Sequence, residues 1–388
     1  MRVPFIFSIM FLAAACCLGQ AGPGSEKHVL ATQIFENSRR AKSWLDERGV
    51  LGQLTLVNDW SSSFRSGTDS VHSFNRYSLD LLVGFDAQKA LGWKGSSGLV
   101  RVKHHLGEHG GDYVGDAQGF SNIDSSSKTY LYELWLQQTL WKNRVRFKAG
   151  KIDANSDFAT VKIAADFLNS SMGYSPTILS FPTYPEPRPG LAVFLQPGHY
   201  QLGAGLLRTA QRENMWIVEA GREWRLSVNE LPGRSSFGTW RISGPVKCFD
   251  GDELNTTRGY YLVAEQALWK NAPAEKGSEQ TVSMFLQYGS ANAEISPFTR
   301  HLGGGAVLES PFAMRPNDAI GFGITSVRFT DVDEAGFERD HEVAAEIYYR
   351  VSLTRFLSLV PDFQFIRNPG GARSNDAFVF TPRVTLSF

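Results

Sequence analysis

The stretch from Glu342 to Phe388 constrains the fold more than any other part of the chain. Val343, Ala345, Ile347, Tyr349, Val351 and Leu353 fall on one face of an extended backbone, and Glu342, Ala344, Glu346, Tyr348, Arg350 and Ser352 fall on the other. A period of two predicts a strand with one apolar side. The alternation returns at Phe378, Phe380, Pro382, Val384, Leu386 and Phe388 and runs to the terminal carboxylate. Last residues without partners are poorly ordered, so an aromatic strand is a poor free end. In a closed barrel the final strand pairs with the first, and the terminus becomes part of the wall.

The other end of the chain reads as a processing segment. Residues 1–21 carry Arg2, an apolar run Phe5–Leu18 too short to remain in a membrane, and Gly19-Gln20-Ala21 around a cleavage site. A buried N-terminal helix, or a lipid-attachment signal at Ala13-Ala14-Ala15-Cys16, are the alternatives. Loss of the signal leaves Cys248 as the only cysteine, so no intramolecular disulfide can stabilise the exported chain. No later run approaches the roughly 20 apolar residues of a membrane helix. A formal net charge of +0 gives no pointer to nucleic acid. Export, no spanning helix and β patterning leave two classes: an outer-membrane barrel, or a secreted soluble β-rich protein that binds or hydrolyses glycans.

Residues 22–50 form an N-terminal helical segment. Leu30, Ile34, Ala41 and Leu45 recur at helical spacing over 27–48, and Gly49 is placed to end it. From residue 51 about sixteen alternating stretches follow, from 51–63 to 375–388, predicting an all-β transmembrane antiparallel barrel over 51–388. An even count of strands of about ten residues suits such a barrel and leaves room for an aqueous channel. Tight connections such as Trp141-Lys142-Asn143 contrast with longer polar ones, Gly107–Lys128 and Ala272–Glu279, which are expected at the outer end. Trp93, Trp141 and Trp269 are expected at interface girdles. Residues 152–189 break the rhythm, with Phe158, Ile163, Phe167 and Leu168 in a short helix and Pro182, Pro185, Pro187 and Pro189 in an extended return. A long ordered segment of this kind is usually functional, and in a channel it folds inward.

Side chains opposite the apolar faces are then expected to face the lumen. They are Asp80, Arg101, Lys103, His105, Glu133, Trp135, Gln137, Arg146, Lys148, Glu219, Glu223, Arg241, Glu346, Arg350 and Arg383. Tyr132, Trp240 and Ile242 are assigned to the lipid face with Leu134, Leu136 and Trp216. A charge facing lipid costs about 2–4 kcal/mol at the midplane, so this sorting is a physical demand of the barrel. Arg101, Lys103, Glu133, Arg146, Lys148, Glu346, Arg350 and Arg383 are the expected channel wall, and Asp153, Asp157, Lys162 and Asp166 the expected charges of the inward loop. Charges of both signs beside Gln, Tyr and Trp suit a neutral polyhydroxyl solute, because ionised groups bind hydroxyls through charge-assisted hydrogen bonds. A one-signed lumen would favour ions.

Other chemistry finds little support. His104 and His105 face opposite sides of a strand and cannot chelate one metal with His109 and Glu108. Gly303-Gly304-Gly305 lacks the strand–helix setting of a phosphate loop and is expected to allow close approach. GxSxG and HExxH motifs are absent. Asp250 and Asp252 could be imagined as a glycosidase pair, but acidic loop residues are common. No catalytic residue, metal or cofactor is expected, and no signal sets the number of chains in an assembly.

Gly259-Tyr260-Tyr261-Leu262, Glu265-Gln266-Ala267-Leu268-Trp269, Arg315-Pro316-Asn317-Asp318 before Gly321-Phe322-Gly323, and Pro361-Asp362-Phe363-Gln364-Phe365-Ile366 with Asn368-Pro369-Gly370-Gly371 form an ordered set. Glu133-Leu134-Trp135-Leu136-Gln137-Gln138, Gly150-Lys151-Ile152-Asp153, Phe167-Leu168-Asn169-Ser170 and Tyr184-Pro185 extend it. In this the chain resembles the carbohydrate-selective porins of the OprB family, from about residue 28 to the end. The resemblance implies sixteen strands and passive, sugar-preferring diffusion through an eyelet lined by arginines and acidic residues. It places the protein in a Gram-negative outer membrane, in contact with lipid and saccharide solutes, with Phe388 read by the barrel-assembly machinery. Ser61–Gly67 departs from the Asn…Gly-Gly element that the family often carries there, which bears on the first loop and the solute range.

Overall fold

In the computed structural model, period-2 alternation becomes hydrogen-bonded strand throughout. The structure describes residues 44–65, 71–226, 230–271 and 279–388. The strands are β1 (Val50–Arg65), β2 (Val71–Asp86), β3 (Ser96–Gly107), β4 (Lys128–Leu140), β5 (Val145–Ile152) and β6 (Arg188–Leu195). Then come β7 (Tyr200–Arg208), β8 (Asn214–Leu226), β9 (Leu231–Lys247), β10 (Glu253–Asn271) and β11 (Gln280–Ala291). The last are β12 (Phe298–Glu309), β13 (Ala319–Phe329), β14 (His341–Ser352), β15 (Leu357–Arg367) and β16 (Ala377–Ser387).

Each strand pairs with its sequence neighbours and β1 pairs with β16, closing a sixteen-strand antiparallel barrel. Closure removes the two edges that would otherwise expose backbone donors and acceptors to lipid. Phe388 completes the seam, its N–H donating to the Leu54 carbonyl at 2.9 Å and its carbonyl accepting from Leu54 N–H at 3.1 Å. Inside the same seam Asp59 faces Arg383 in register, and the guanidinium grips its carboxylate through Nε at 2.7 Å and Nη2 at 2.9 Å. Arg383 is therefore a clamp with little exposure across the first and last strands.

The outer surface is apolar. Leu136, Phe147, Leu191, Phe237, Leu302, Phe322, Ile347 and Phe363 are all exposed large hydrophobics. A soluble sandwich would bury such a set, so the soluble alternative fails on the exterior. Trp93, Trp141 and Trp269 are exposed as well, all at the end of the barrel that holds Phe388. That end also carries the short turns. β10 runs toward it and β11 away from it, so the connection Ala272–Glu279 joins strands there and not, as expected, at the long-loop end.

The last turn of the N-terminal helical segment, residues 44–47, is helical, and Gly49 ends it with φ +75°. A Cβ there would lie 2.8 Å from the Asp86 carbonyl oxygen. The rest of the segment and the export signal lie outside the described residues.

Side-chain assignments change in two strands. In β4 the register with β3 slips between Arg101 and Val102, leaving Tyr132 as a bulge residue without a partner. Tyr132 and Glu133 consequently both point inward and are buried, because an extra residue flips the phase of everything after it. In β9, Trp240 and Ile242 are buried inward and Arg241 is exposed outside, since the barrel holds an apolar plug for the former to meet.

Candidate channel and its inward loop

That plug is residues 153–187. The segment leaves β5, turns into the barrel and returns to β6. Asp153 starts it by accepting from Asn155 N–H at 3.1 Å, and Asn169 starts a single helical turn, Ser170–Gly173, by accepting from Ser171 N–H at 3.0 Å. Phe158, Phe167, Leu168, Met172 and Ile178 are almost fully buried against Phe194, Ile217, Trp240, Tyr261, Phe285 and Tyr348 of the inner wall. Burying each such side chain contributes about 1.5–3 kcal/mol, which makes the loop part of the core.

The wall has seats cut for it. A Cβ on Gly323 would meet Phe167 at 2.9 Å and Met172 at 3.0 Å. A Cβ on Gly205 of β7 would lie 3.1 Å from Phe158, and one on Gly305 would lie 2.7 Å from the Phe285 ring on which Phe167 packs edge-on. The glycine run in β12 thus permits close approach.

Polar wall residues hold the loop backbone. Glu219 accepts from Ala159 N–H at 2.8 Å, Glu265 from Ile163 N–H at 2.6 Å, and Glu346 from Leu168 N–H at 2.5 Å and Asn169 N–H at 3.1 Å. Gln287 donates to the Ser171 and Met172 carbonyls at 2.6 and 2.9 Å. Buried backbone groups of an irregular segment need partners, and these side chains supply them. The loop at 108–127 is held likewise, Glu342 accepting from Ala117 and Gln118 N–H groups at 2.8 and 3.1 Å and Gln364 donating to the Phe120 carbonyl at 2.7 Å, while Glu342 also accepts from Gly370 N–H of the β15–β16 connection at 2.6 Å.

The charges left partly open to the lumen carry both signs. Arg101 contacts Asp80 at 2.5 Å and Glu133 at 3.3 Å, and Lys103 contacts Asp80 at 3.1 Å. Asp157 on the loop joins two wall cations, Arg146 at 2.8 Å and Lys148 at 2.7 Å. Asp166 pairs with Arg350 at 2.9 Å, which also meets Glu309 at 3.3 Å. Lys162 and Glu223, each 64% exposed, face each other at 4.0 Å. Trp135 stands among them, its indole N–H donating to Glu133 at 3.1 Å and its ring lying 4.4 Å from Lys148 Nζ.

The twelve expected site residues therefore separate by position. Arg101, Arg146, Arg350, Lys162 and Asp166 reach the open lumen, while Lys103, Lys148 and Asp157 stand behind them in ion pairs with little exposure. Glu133 is buried beside Asp153, and Glu346 lies under the loop. Asp153 accepts from Tyr132 and Thr183 hydroxyls at 2.5 and 2.7 Å, tying the neck of the loop to the β4 bulge. Arg383 belongs to the seam. Glu265, Glu342, Gln287, Gln364 and Gly323 were not singled out as site residues; each falls in the inward phase of its strand, the signal that could have found them.

Burial, reinforced by the nearby Glu342 carboxylate, pushes Asp116 in the loop 108–127 up to about 8. A carboxyl raised in the docked loop is neutral there while it ionises in a released one, so docking is strongest near pH 4 and weakens until about pH 8. The protection factors of amides in residues 108–127, exchange being normalised to its intrinsic rate at each pH, should fall across that window and level off above it. Asp116→Asn should flatten the profile, and an unchanged pH dependence in that variant would remove Asp116 as its source.

Two segments of the chain, residues 75–215 and 215–388, match the family model described as carbohydrate-selective porin, OprB family. Porin B of Pseudomonas aeruginosa is 23% identical, with 92% of this chain and 93% of that protein covered. The putative porin QuiX of Acinetobacter baylyi is 21% identical over 89% of this chain and 90% of its own length. Among solved structures, the high-pH structure of Pseudomonas putida OprB superposes with a TM-score of 0.80 at 17% identity, covering 91% of this chain and 97% of that one. With the closed barrel, its inward loop and the family match over most of its length, the chain belongs to the carbohydrate-selective porins of the OprB family.

Proposed function

We propose that this porin admits saccharides by passive diffusion along the charged side of the inward loop, driven only by the solute gradient. The observation that carries the reading is a set of opposite charges along that side, each pair with at least one partner partly open to the lumen: Arg101 with Asp80, Arg146 with Asp157, Arg350 with Asp166, and Lys162 with Glu223. A permeating sugar gives up water, and fixed carboxylates and guanidinium groups return those hydrogen bonds without net charge attraction for either ion sign. The half-buried ring of Trp135 offers the apolar face of the sugar a partner. Family membership makes the molecule an outer-membrane channel. Export by the signal at 1–21 and recognition of Phe388 during assembly are parts of the same proposal, supported by the sequence of the first segment and by the seam position of the last residue.

Single-channel recording tests the pathway. Adding a saccharide to both sides of a planar bilayer should lower the ion current through the wild-type channel. Arg146→Ala together with Lys148→Ala leaves Asp157 without its cations, and should shift ion selectivity toward cations and weaken the sugar's effect. If selectivity and sugar block both stay as in the wild type, these residues do not line the path.

A further inference from the structure

Six arginines stand outside the barrel near its long-loop end: Arg208 on β7, Arg241 on β9, Arg258 on β10, Arg300 on β12, Arg328 on β13 and Arg367 on β15, and all are exposed. Each is in phase with exposed apolar residues of its own strand, Leu202, Phe237, Tyr260, Leu302, Ile324 and Phe365 respectively. The register sets Arg241 directly across from Arg258, and Arg300 directly across from Arg328. Like charges opposite each other in an antiparallel ladder are destabilising unless an anion joins them.

No carboxylate among the described residues lies within ion-pair distance of any of the six. Arg241 Nε donates to the Thr256 hydroxyl at 2.9 Å and Arg208 to the Arg212 carbonyl at 2.7 Å. Glu219 of β8 and Glu265 of β10 point inward and hold the loop, and Asp340, the acidic group whose charge Arg328 does influence, makes its close contact with His341. An outward arginine costs about 2–4 kcal/mol at the bilayer midplane but only about 0–1 near the interface, so strand ends are where such residues are tolerated. The opposite rim carries exposed Trp93, Trp141 and Trp269, together with the outward Arg222 of β8, which lies over the Tyr200 ring.

The structure assigns to this arginine belt the binding of phosphorylated glycolipid headgroups in the leaflet at the long-loop end. A guanidinium presents paired donors that match two phosphate oxygens, and one phosphate between Arg241 and Arg258, or between Arg300 and Arg328, turns a repulsive pair into a bridge. The occupant is a lipid because the belt sits directly above the apolar band of Leu302, Phe322 and Ile324, where an anion's acyl chains would lie.

Native mass spectrometry of the full chain in detergent tests this, with bisphosphorylated lipid A, dephosphorylated lipid A, phosphatidylglycerol and inorganic phosphate as probes. Bisphosphorylated lipid A should bind at least about tenfold more tightly than the dephosphorylated form, the factor that about 1.4 kcal/mol supplies, and more tightly than phosphatidylglycerol. Inorganic phosphate at equal concentration should not displace it. The R241Q/R258Q/R300Q/R328Q variant should lose the preference while its single-channel conductance stays unchanged. Equal binding of the two lipid A forms overturns the proposal from the wild type alone, whether or not the variant folds. So does a preference that survives in the variant, displacement by phosphate, or equal binding of phosphatidylglycerol.

Discussion

Gly323→Leu is expected to widen the channel severalfold in conductance while the barrel still assembles. Gly323 pairs with Gly305 on one side and Glu346 on the other, and its missing side chain is the floor on which Phe167 and Met172 rest. A Cβ alone would come within 2.9 Å of Phe167, whose ring is already fixed edge-on against Phe285 and Tyr348 at 5.6 and 4.9 Å between centroids. A leucine adds atoms for which no space exists, and overpacking of this kind costs about 1–3 kcal/mol. The strand's own backbone hydrogen bonds are untouched, so the strain falls on the loop. The larger current should come with weaker discrimination by solute size. Wild-type conductance and size discrimination in this variant would mean that the loop does not set the bore.

Glu346→Ala attacks the same loop through polarity. It strips acceptors from the buried Leu168 and Asn169 N–H groups, and leaving a buried donor unsatisfied costs about 1–3 kcal/mol. Amide exchange at Leu168 and Asn169 should accelerate by orders of magnitude relative to strand amides of β14, and conductance should rise. Glu346→Gln keeps one acceptor oxygen and should fall between the alanine variant and the wild type. Unaltered exchange at both amides in the alanine variant would show that the hooks are redundant.

Much of the fold was legible because a barrel wall obeys one strict rule, alternation, and the chain follows it from β1 to β16. The inward phase of Arg101, Arg146, Glu219, Glu346 and Arg350 could be read directly. The rule failed in two places for reasons that a linear pattern does not carry. Tyr132 is a bulge residue, and a single inserted position reverses the phase without changing composition. Trp240 and Ile242 look like lipid-facing residues because apolar side chains suit lipid and an apolar plug equally well. For the same reason Arg241 was expected inside and stands outside. The site was less legible than the fold. Inward phase does not distinguish a charge open to the lumen, such as Arg350, from one covered by the loop, such as Glu346. That difference depends on the path of 153–187, whose contacts with β8 to β15 are all long-range. Glycines such as Gly323 reveal their role only against the side chains that occupy their space.

In the proposed function, saccharides cross through this lumen, past the inward loop. Liposome swelling measures it most directly. Vesicles carrying the wild-type protein, placed in isotonic glucose or a small oligosaccharide, should swell faster than protein-free vesicles, with the rate falling as the saccharide lengthens. Entry of glucose no faster than into empty vesicles would mean that saccharides do not cross this barrel.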